Sequence, residues 1–266
     1  MPRMMLNGAA INYEVTGDGP ETIVFGHGLL WSGRMFEAQV AALSRRYRCI
    51  TLDFRGQGQS EATRDGYDMD TLTQDVLCLI REVAGGPVHY AGLSMGGFVG
   101  MRLAIRHPEW LKSLTLLETS ADPEPEENMF KYRLLPRIAR LLGMKVVAPQ
   151  AMKIMFGKTF LKDPARKAQR DEMRNRLLQN DPFNISKAIT GVFDREGVYE
   201  FLPSIQLPTL IIVGDEDVAT IPAKSRRMHA AIQGSQLVVI PNSGHTSTVE
   251  TPQAVIAAME EFLAKV

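Results

Sequence analysis

The stretch Gly92-Leu93-Ser94-Met95-Gly96 sets a serine between two glycines, each two residues away. It follows the apolar run Pro87-Val88-His89-Tyr90-Ala91 and precedes a segment of helical pattern, Phe98 to Arg106. A serine on a sharp strand-to-helix turn is held in strained backbone geometry, so its neighbours must lack bulk. Gly92 and Gly96 meet that need, and Gly97 leaves room for close helix packing. The turn lifts the hydroxyl above the sheet, where a base and a carbonyl can both reach it. It also sets Ser94 and the Met95 amide at a helix N-terminus, which favours developing negative charge. In isolation the pentapeptide also reads as a glycine-rich turn with a surface serine, so the rest of the chain must decide.

A serine hydroxyl is a weak nucleophile until a base takes its proton. Of the five histidines, His245 lies in the polar loop Pro241-Asn242-Ser243-Gly244-His245-Thr246 after the last expected strand. That loop leaves the same sheet edge as Ser94. His229, His107 and His89 read as surface or packing residues. His27, between two glycines, reads as a brace for its loop. His245 is therefore the expected base. An acid must orient the imidazole. Gly214-Asp215-Glu216-Asp217 puts three carboxylates at the end of the strand Leu210-Ile211-Ile212-Val213. Asp217 lies farther from the strand and reaches a histidine from the next loop best. Asp215 reads as a brace for the turn, and Glu118 is a third option. An oxyanion hole needs two backbone N–H groups. Met95 offers one, and Leu29 in Phe25-Gly26-His27-Gly28-Leu29-Leu30 offers the other.

These residues need a sheet to position them. Expected strands cover 10–15, 22–25, 49–54, 88–93, 111–117, 209–213 and 237–240. Expected helices cover 35–43, 69–83, 98–106, 223–232 and 253–264, with Asp68 or Asp70 capping the second. This alternation predicts a doubly wound, mostly parallel sheet with helices on both faces. The alternation breaks from 122 to 204, which opens with Asp122-Pro123-Glu124-Pro125-Glu126-Glu127 and reads as helices only. The expected organisation is a core of 1–121 and 205–266 with a helical lid, 122–204, inserted after the strand at 111–117, taken as the sixth strand of the sheet. Such a lid would cover the carboxyl edge of the sheet, where open α/β sheets bind ligands. Leu134, Leu135, Ile138, Leu141 and Leu142 share one helical face, as do Met152, Met155, Phe156 and Phe160. Leu30, Trp31, Met152, Met155 and Phe156 are the expected pocket residues.

Between Lys131 and Arg176 there are 13 Lys or Arg against three Asp or Glu. A solvated face explains this, and mild attraction of anionic substrates is the functional alternative. Met129, Met144, Met152, Met155 and Met173 read as helix packing before they read as an adaptable ligand surface. The whole chain has 30 basic and 30 acidic residues, so its net charge suggests neither nucleic acid nor an anionic membrane. Cys49 and Cys78 read as two buried thiols in a reducing compartment. The segment Met1 to Gly8 lacks the apolar run of a signal peptide, and no run is long enough to span a membrane. A cytoplasmic location is expected. No Cys/His cluster has zinc-ligand spacing and no Gly-x-Gly-x-x-Gly is present, so no metal or organic cofactor is expected.

The chain resembles α/β-hydrolase-fold enzymes over essentially its whole length. The resemblance is carried by His27-Gly28, Asp53-x-Arg55-Gly56-x-Gly58-x-Ser60, Gly92-x-Ser94-Met95-Gly96-Gly97, Gly214-x-x-Asp217 and Gly244-His245, in family order. In that family the Asp53 to Ser60 segment is structural, so Asp53 is not carried over as catalytic. Gln57 stands where a histidine is frequent, with no clear catalytic meaning. The elbow and short helical lid are most similar to small carboxylesterases and 3-oxoadipate enol-lactonase-like hydrolases. The resemblance implies a serine hydrolase that cleaves a small or short-acyl carboxylic ester or lactone through an acyl-enzyme on Ser94. Serine at position 94 argues against epoxide hydrolases and haloalkane dehalogenases, which use aspartate there. C–C bond hydrolases of ring-cleavage products, cofactor-free perhydrolases and slow ligand-binding members of the fold remain alternatives.

Overall fold

A computed structural model of the chain describes residues 3–266, apart from the side chains at 128–133, 135 and 136. Met1 and Pro2, and the side chains of Met129, Lys131 and Leu135, thus lie outside the described residues. Eight strands form one sheet: β1 (Arg3–Leu6), β2 (Ala9–Thr16), β3 (Thr22–Gly26), β4 (Arg48–Leu52), β5 (Val88–Leu93), β6 (Leu111–Leu117), β7 (Thr209–Gly214) and β8 (Gln236–Ile240). Their order is β1-β2-β4-β3-β5-β6-β7-β8. Only the β1–β2 and β2–β4 pairings are antiparallel. Strands β3 to β8 therefore all end at one edge. The interior strands β5 and β7 are buried along their whole length, as a sheet covered on both faces requires.

Helices α1 (Glu37–Leu43), α2 (Met69–Leu79) and α3 (Met95–Arg106) follow the early strands. Between β6 and β7 come α4 (Glu126–Leu142), α5 (Met144–Met155), α6 (Lys158–Lys162), α7 (Lys167–Leu178) and α8 (Pro182–Phe193). Helices α9 (Pro222–Ala231), α10 (Ser247–Glu250) and α11 (Pro252–Leu263) complete the chain. Asp68 caps α2, its carboxylate accepting from the Thr71 amide. No described helix is long and apolar enough to cross a membrane.

The fold departs from the sequence reading at several points. Strand β1 was not expected; it is an edge strand whose burial alternates, but Met4, Met5 and Leu6 are all apolar, so the sequence shows no polar–apolar alternation there. Helix α2 ends at Leu79, and a wider turn, Ile80–Ala84, carries the chain to the left-handed Gly85. Helix α3 starts at Met95 rather than Phe98, because tertiary contact overrides the poor helix propensity of Gly96 and Gly97. Cys49 is buried, but Cys78 is only partly so. In the insertion, Met152, Phe156 and Phe160 are buried as expected, whereas Leu134, Leu141 and Leu142 are exposed. Among the described residues of α4, Ala139 is buried. Leu134, Leu141 and Leu142 therefore face solvent, and Ile138 is half-buried.

The elbow depends on a close approach of three backbones. A Cβ on Gly92 would meet the Gly96 carbonyl oxygen at 2.2 Å, and one on Gly96 would meet the Gly26 carbonyl oxygen at 2.0 Å. Neither neighbour is a flexible side chain, so the cost cannot be relaxed locally. Gly96→Ala is expected to destabilise the fold by at least about 3 kcal/mol. Gly86→Ala, where nothing lies within 4 Å of the new carbon, should change stability by less than about 0.5 kcal/mol. Denaturant midpoints of the two variants check this.

Candidate active site

Ser94 sits between β5 and α3 with φ +51° and ψ −109°, a conformation that non-glycine residues rarely adopt. Its amide donates to the Leu117 carbonyl at 2.9 Å, and its carbonyl accepts from the Thr119 hydroxyl at 2.8 Å. The Gly96 amide donates to the His27 carbonyl at 3.1 Å. The turn is thus tied to β6 on one side and to the loop after β3 on the other.

That loop is held by two buried side chains. His27 Nε2 accepts from the Phe54 amide at 2.9 Å, so its Nδ1 carries the proton and donates to the Gly28 carbonyl at 2.7 Å. Burial lowers the His27 pKa and favours this neutral form. Gln57 Oε1 accepts from the Leu30 amide at 2.8 Å, and Leu30 has φ +75°. Gln57, to which the sequence assigned no role, therefore fixes the backbone next to Leu29. Asp53 is a structural hub, accepting from Gly33 and Gln59 amides and from Asn12.

The loops after β7 and β8 lie side by side. The Glu216 amide donates to the Ser243 carbonyl at 2.8 Å, and the Asp215 amide to the Ile240 carbonyl at 2.9 Å. Asp215 Oδ1 lies 3.4 Å from the Ser243 amide, a long contact that braces the turn. Asp217 Oδ2 accepts from His245 Nδ1 at 2.9 Å and from the Thr220 hydroxyl at 2.7 Å. Its Oδ1 accepts from the amides of Ala219 and Thr220. Burial alone would raise the Asp217 pKa, but the His245 charge and these hydrogen bonds outweigh it and hold the carboxyl below its usual range. Thr220 was missed by the sequence reading; a threonine three residues past an acid at a strand end is the available signal.

Glu118 is buried beside this pair and takes part differently. Among the described residues, neither of its carboxylate oxygens has a hydrogen-bond partner of good geometry. Burial pushes its pKa well above the usual range, and the nearby charges of Asp217 and Glu250 push the same way. The imidazole of His245 is oriented by Asp217, not by Glu118.

Ser94 and His245 open on one cavity of about 130 Å³. Its walls include Leu29, Leu30, Phe98, Val147, Met155 and Ile189. Of the expected pocket residues, Leu30 and Met155 line it, and Trp31, Met152 and Phe156 do not. Phe156 packs behind the wall, stacked on Phe160 with ring centroids 4.7 Å apart and edge-on to Trp31 at 5.9 Å. Trp31 instead borders a separate polar cavity shared with Arg34, Asn180 and Asn184. Glu124, Arg195 and Lys224 supply charge at the Ser94 cavity. A hydroxyl, an imidazole with its carboxylate, and an apolar enclosure are the components needed for acyl transfer.

The comparisons with known proteins agree with this architecture. Residues 21–252 match the family model described as alpha/beta hydrolase fold. The 3-oxoadipate enol-lactonase 1 of Acinetobacter baylyi is 27% identical over 98% of this chain and 96% of its own length. The crystal structure of the enol-lactonase from Burkholderia xenovorans superposes with a TM-score of 0.92 at 28% identity, covering 99% of this chain and 100% of that one. A thermophilic esterase from Thermogutta terrifontis superposes with a TM-score of 0.93 at 27% identity, covering 100% and 99%. With the eight-stranded sheet and its helices already in place, the match over most of the sequence establishes that the chain belongs to the α/β-hydrolase family.

Proposed function

We propose that the protein hydrolyses a small carboxylic ester or lactone through an acyl-enzyme on Ser94. The observation that carries this reading is the shared cavity: Ser94 and His245 both line it, and His245 Nδ1 is held 2.9 Å from Asp217. A proton on Nδ1, held by Asp217, leaves Nε2 as the basic nitrogen. His245 takes the Ser94 proton as the hydroxyl oxygen attacks the carbonyl carbon. The amides of Leu29 and Met95 hold the oxyanion. His245 then protonates the leaving alcohol. Water enters, His245 takes its proton, and the acid product departs as Ser94 is restored. The similarity to enol-lactonases and an esterase supports an ester or lactone substrate.

The segment 122–204 acts in this reading as a lid, with α5 and α8 closing the cavity over Ser94. The cavity is close in size to the roughly 150 Å³ void that takes a benzene-sized guest. A short or cyclic acyl group fits such a space, and a long chain does not.

Ser94→Ala is expected to cut kcat by about 10⁶ with the fold intact. Asp217→Asn leaves the imidazole without its orienting anion and should cost about 10⁴. In a nitrophenyl ester series, acetate and butyrate should turn over faster than decanoate. Faster decanoate turnover would contradict the compact pocket. Gln57→Leu strands the buried Leu30 amide, so it should cost about 1–3 kcal/mol of stability and lower kcat through the adjoining Leu29 amide. Unchanged kcat in a folded Gln57→Leu enzyme would remove Leu29 from the oxyanion site.

A further inference from the structure

Glu250 closes α10, five residues beyond His245, and its side chain is buried. Its carboxylate folds back on the histidine loop. Oε2 accepts from the Gly244 amide at 3.0 Å, and Oε1 from the Thr246 amide at 3.2 Å. These two amides flank His245. Oε2 also accepts from the Gly157 amide, in the turn between α5 and α6, at 2.9 Å. One carboxylate therefore gathers backbone from two segments far apart in the chain. The two backbones touch: a Cβ on Gly244 would lie 2.1 Å from the Gly157 nitrogen. Around this point the Thr246 hydroxyl donates to the Met155 carbonyl at 2.7 Å. Arg166 donates to the Glu250 carbonyl at 2.6 Å and to the Val249 carbonyl at 3.2 Å. Met155 lines the Ser94 cavity.

We propose that Glu250 is a positioning residue that fixes His245 and the Met155–Gly157 part of the cavity wall together, so that base and wall move as one unit. The proposal rests on His245 being the base, and it goes beyond that reading by naming what sets the imidazole's place. An ionised carboxylate accepts all three amides at once. A protonated one loses acceptor capacity and gains a donor. The clamp is therefore complete only when Glu250 is ionised.

The charged and titratable groups around Glu250 come from several elements. Arg166 of the insertion faces it, Glu118 lies beyond β6, and Glu216 lies beside Gly157, with Lys158 3.8 Å from Glu216. Asp217 and His245 complete the set. Burial pushes the Glu250 pKa up to about 7, against the three amides and Arg166, which lower it. A carboxyl raised from 4.5 to about 7 takes up a proton on folding between those values. Its contribution to stability accordingly falls as pH rises through that window.

The test compares wild type, Glu250→Gln and Arg166→Met. Measured are kcat and KM with nitrophenyl butyrate from about pH 5 to pH 9, and the His245 Nδ1–H proton resonance without substrate. Glutamine keeps the size of the protonated acid and cannot ionise. In wild type, kcat should fall on acidification more steeply than one proton allows. In Glu250→Gln it should follow one proton, with kcat at alkaline pH down about ten- to a hundredfold and KM moved far less. The His245 resonance should shift or broaden in Glu250→Gln, and the pH dependence of its thermal midpoint should flatten through the window. Arg166→Met removes a cation that favours ionised Glu250, so its acid limb should move to higher pH. That shift decides the matter if Glu250→Gln does not fold. A folded Glu250→Gln enzyme with wild-type kcat, acid limb and His245 resonance overturns the proposal. If wild type turns over no ester, the esterase reading fails, and the His245 resonance alone decides the role of Glu250.

Discussion

The site depends on one steric constraint, the contact of three backbones at Gly26, Gly92 and Gly96. Strand β3, strand β5 and helix α3 come so close there that a single added carbon at Gly92 or Gly96 would sit within 2.2 Å of a carbonyl oxygen. This forces the chain to reverse within a residue, and Ser94 absorbs the reversal at φ +51°. The same contact aligns the loop after β3 with the start of α3, through the Gly96 amide on the His27 carbonyl. The Tyr90 hydroxyl, donating to the Gly96 carbonyl at 3.0 Å, locks the arrangement from below. The Ser94 turn, the helix N-terminus and the loop after β3 are in this sense consequences of one packing event. Strain stored at Ser94 is balanced by the buried sheet around it rather than by any local bond.

Electrostatics then sorts three buried carboxyl groups near the imidazole into three states. Asp217 has His245 and Thr220 as partners and stays ionised. Glu118 has burial and two neighbouring anions, which favour its proton. Glu250 has three amides and lies between them, titrating near 7. Burial is similar for all three, at 3% exposure or less, so burial alone does not decide which acid carries charge. The hydrogen-bond donors each acid finds make the difference.

Much of this was legible in the sequence, because glycine spacing and residue type report backbone geometry directly. Gly92-x-Ser94-x-Gly96 announces a turn that only small neighbours permit. His245 and Asp217 follow from their loops, since β7 and β8 end at the same edge as β5. The apolar segments mark the sheet, with β1 missed because it lies half in solvent. Side-chain direction within the insertion was not legible. Periodicity gave a leucine face to α4, yet Leu141 and Leu142 face water. Trp31, Met152 and Phe156 are apolar and buried, but they do not line the Ser94 cavity, and Phe156 packs edge-on to Trp31 instead. Which of several neighbouring apolar residues meets a substrate depends on how helices pack, and sequence pattern does not carry that information. Gln57 accepts from the Leu30 amide, 27 residues away, and Glu250 joins its own loop to the distant Gly157 amide, contacts that leave no local signature.

The most direct test of the account is where a covalent label lands. Treating the protein with a small-alkyl fluorophosphonate and mapping the adduct by peptide mass spectrometry reads the nucleophile without assuming a substrate. The account predicts stoichiometric modification of Ser94, with loss of ester turnover in step. Modification of another residue, or none in folded protein, would contradict it.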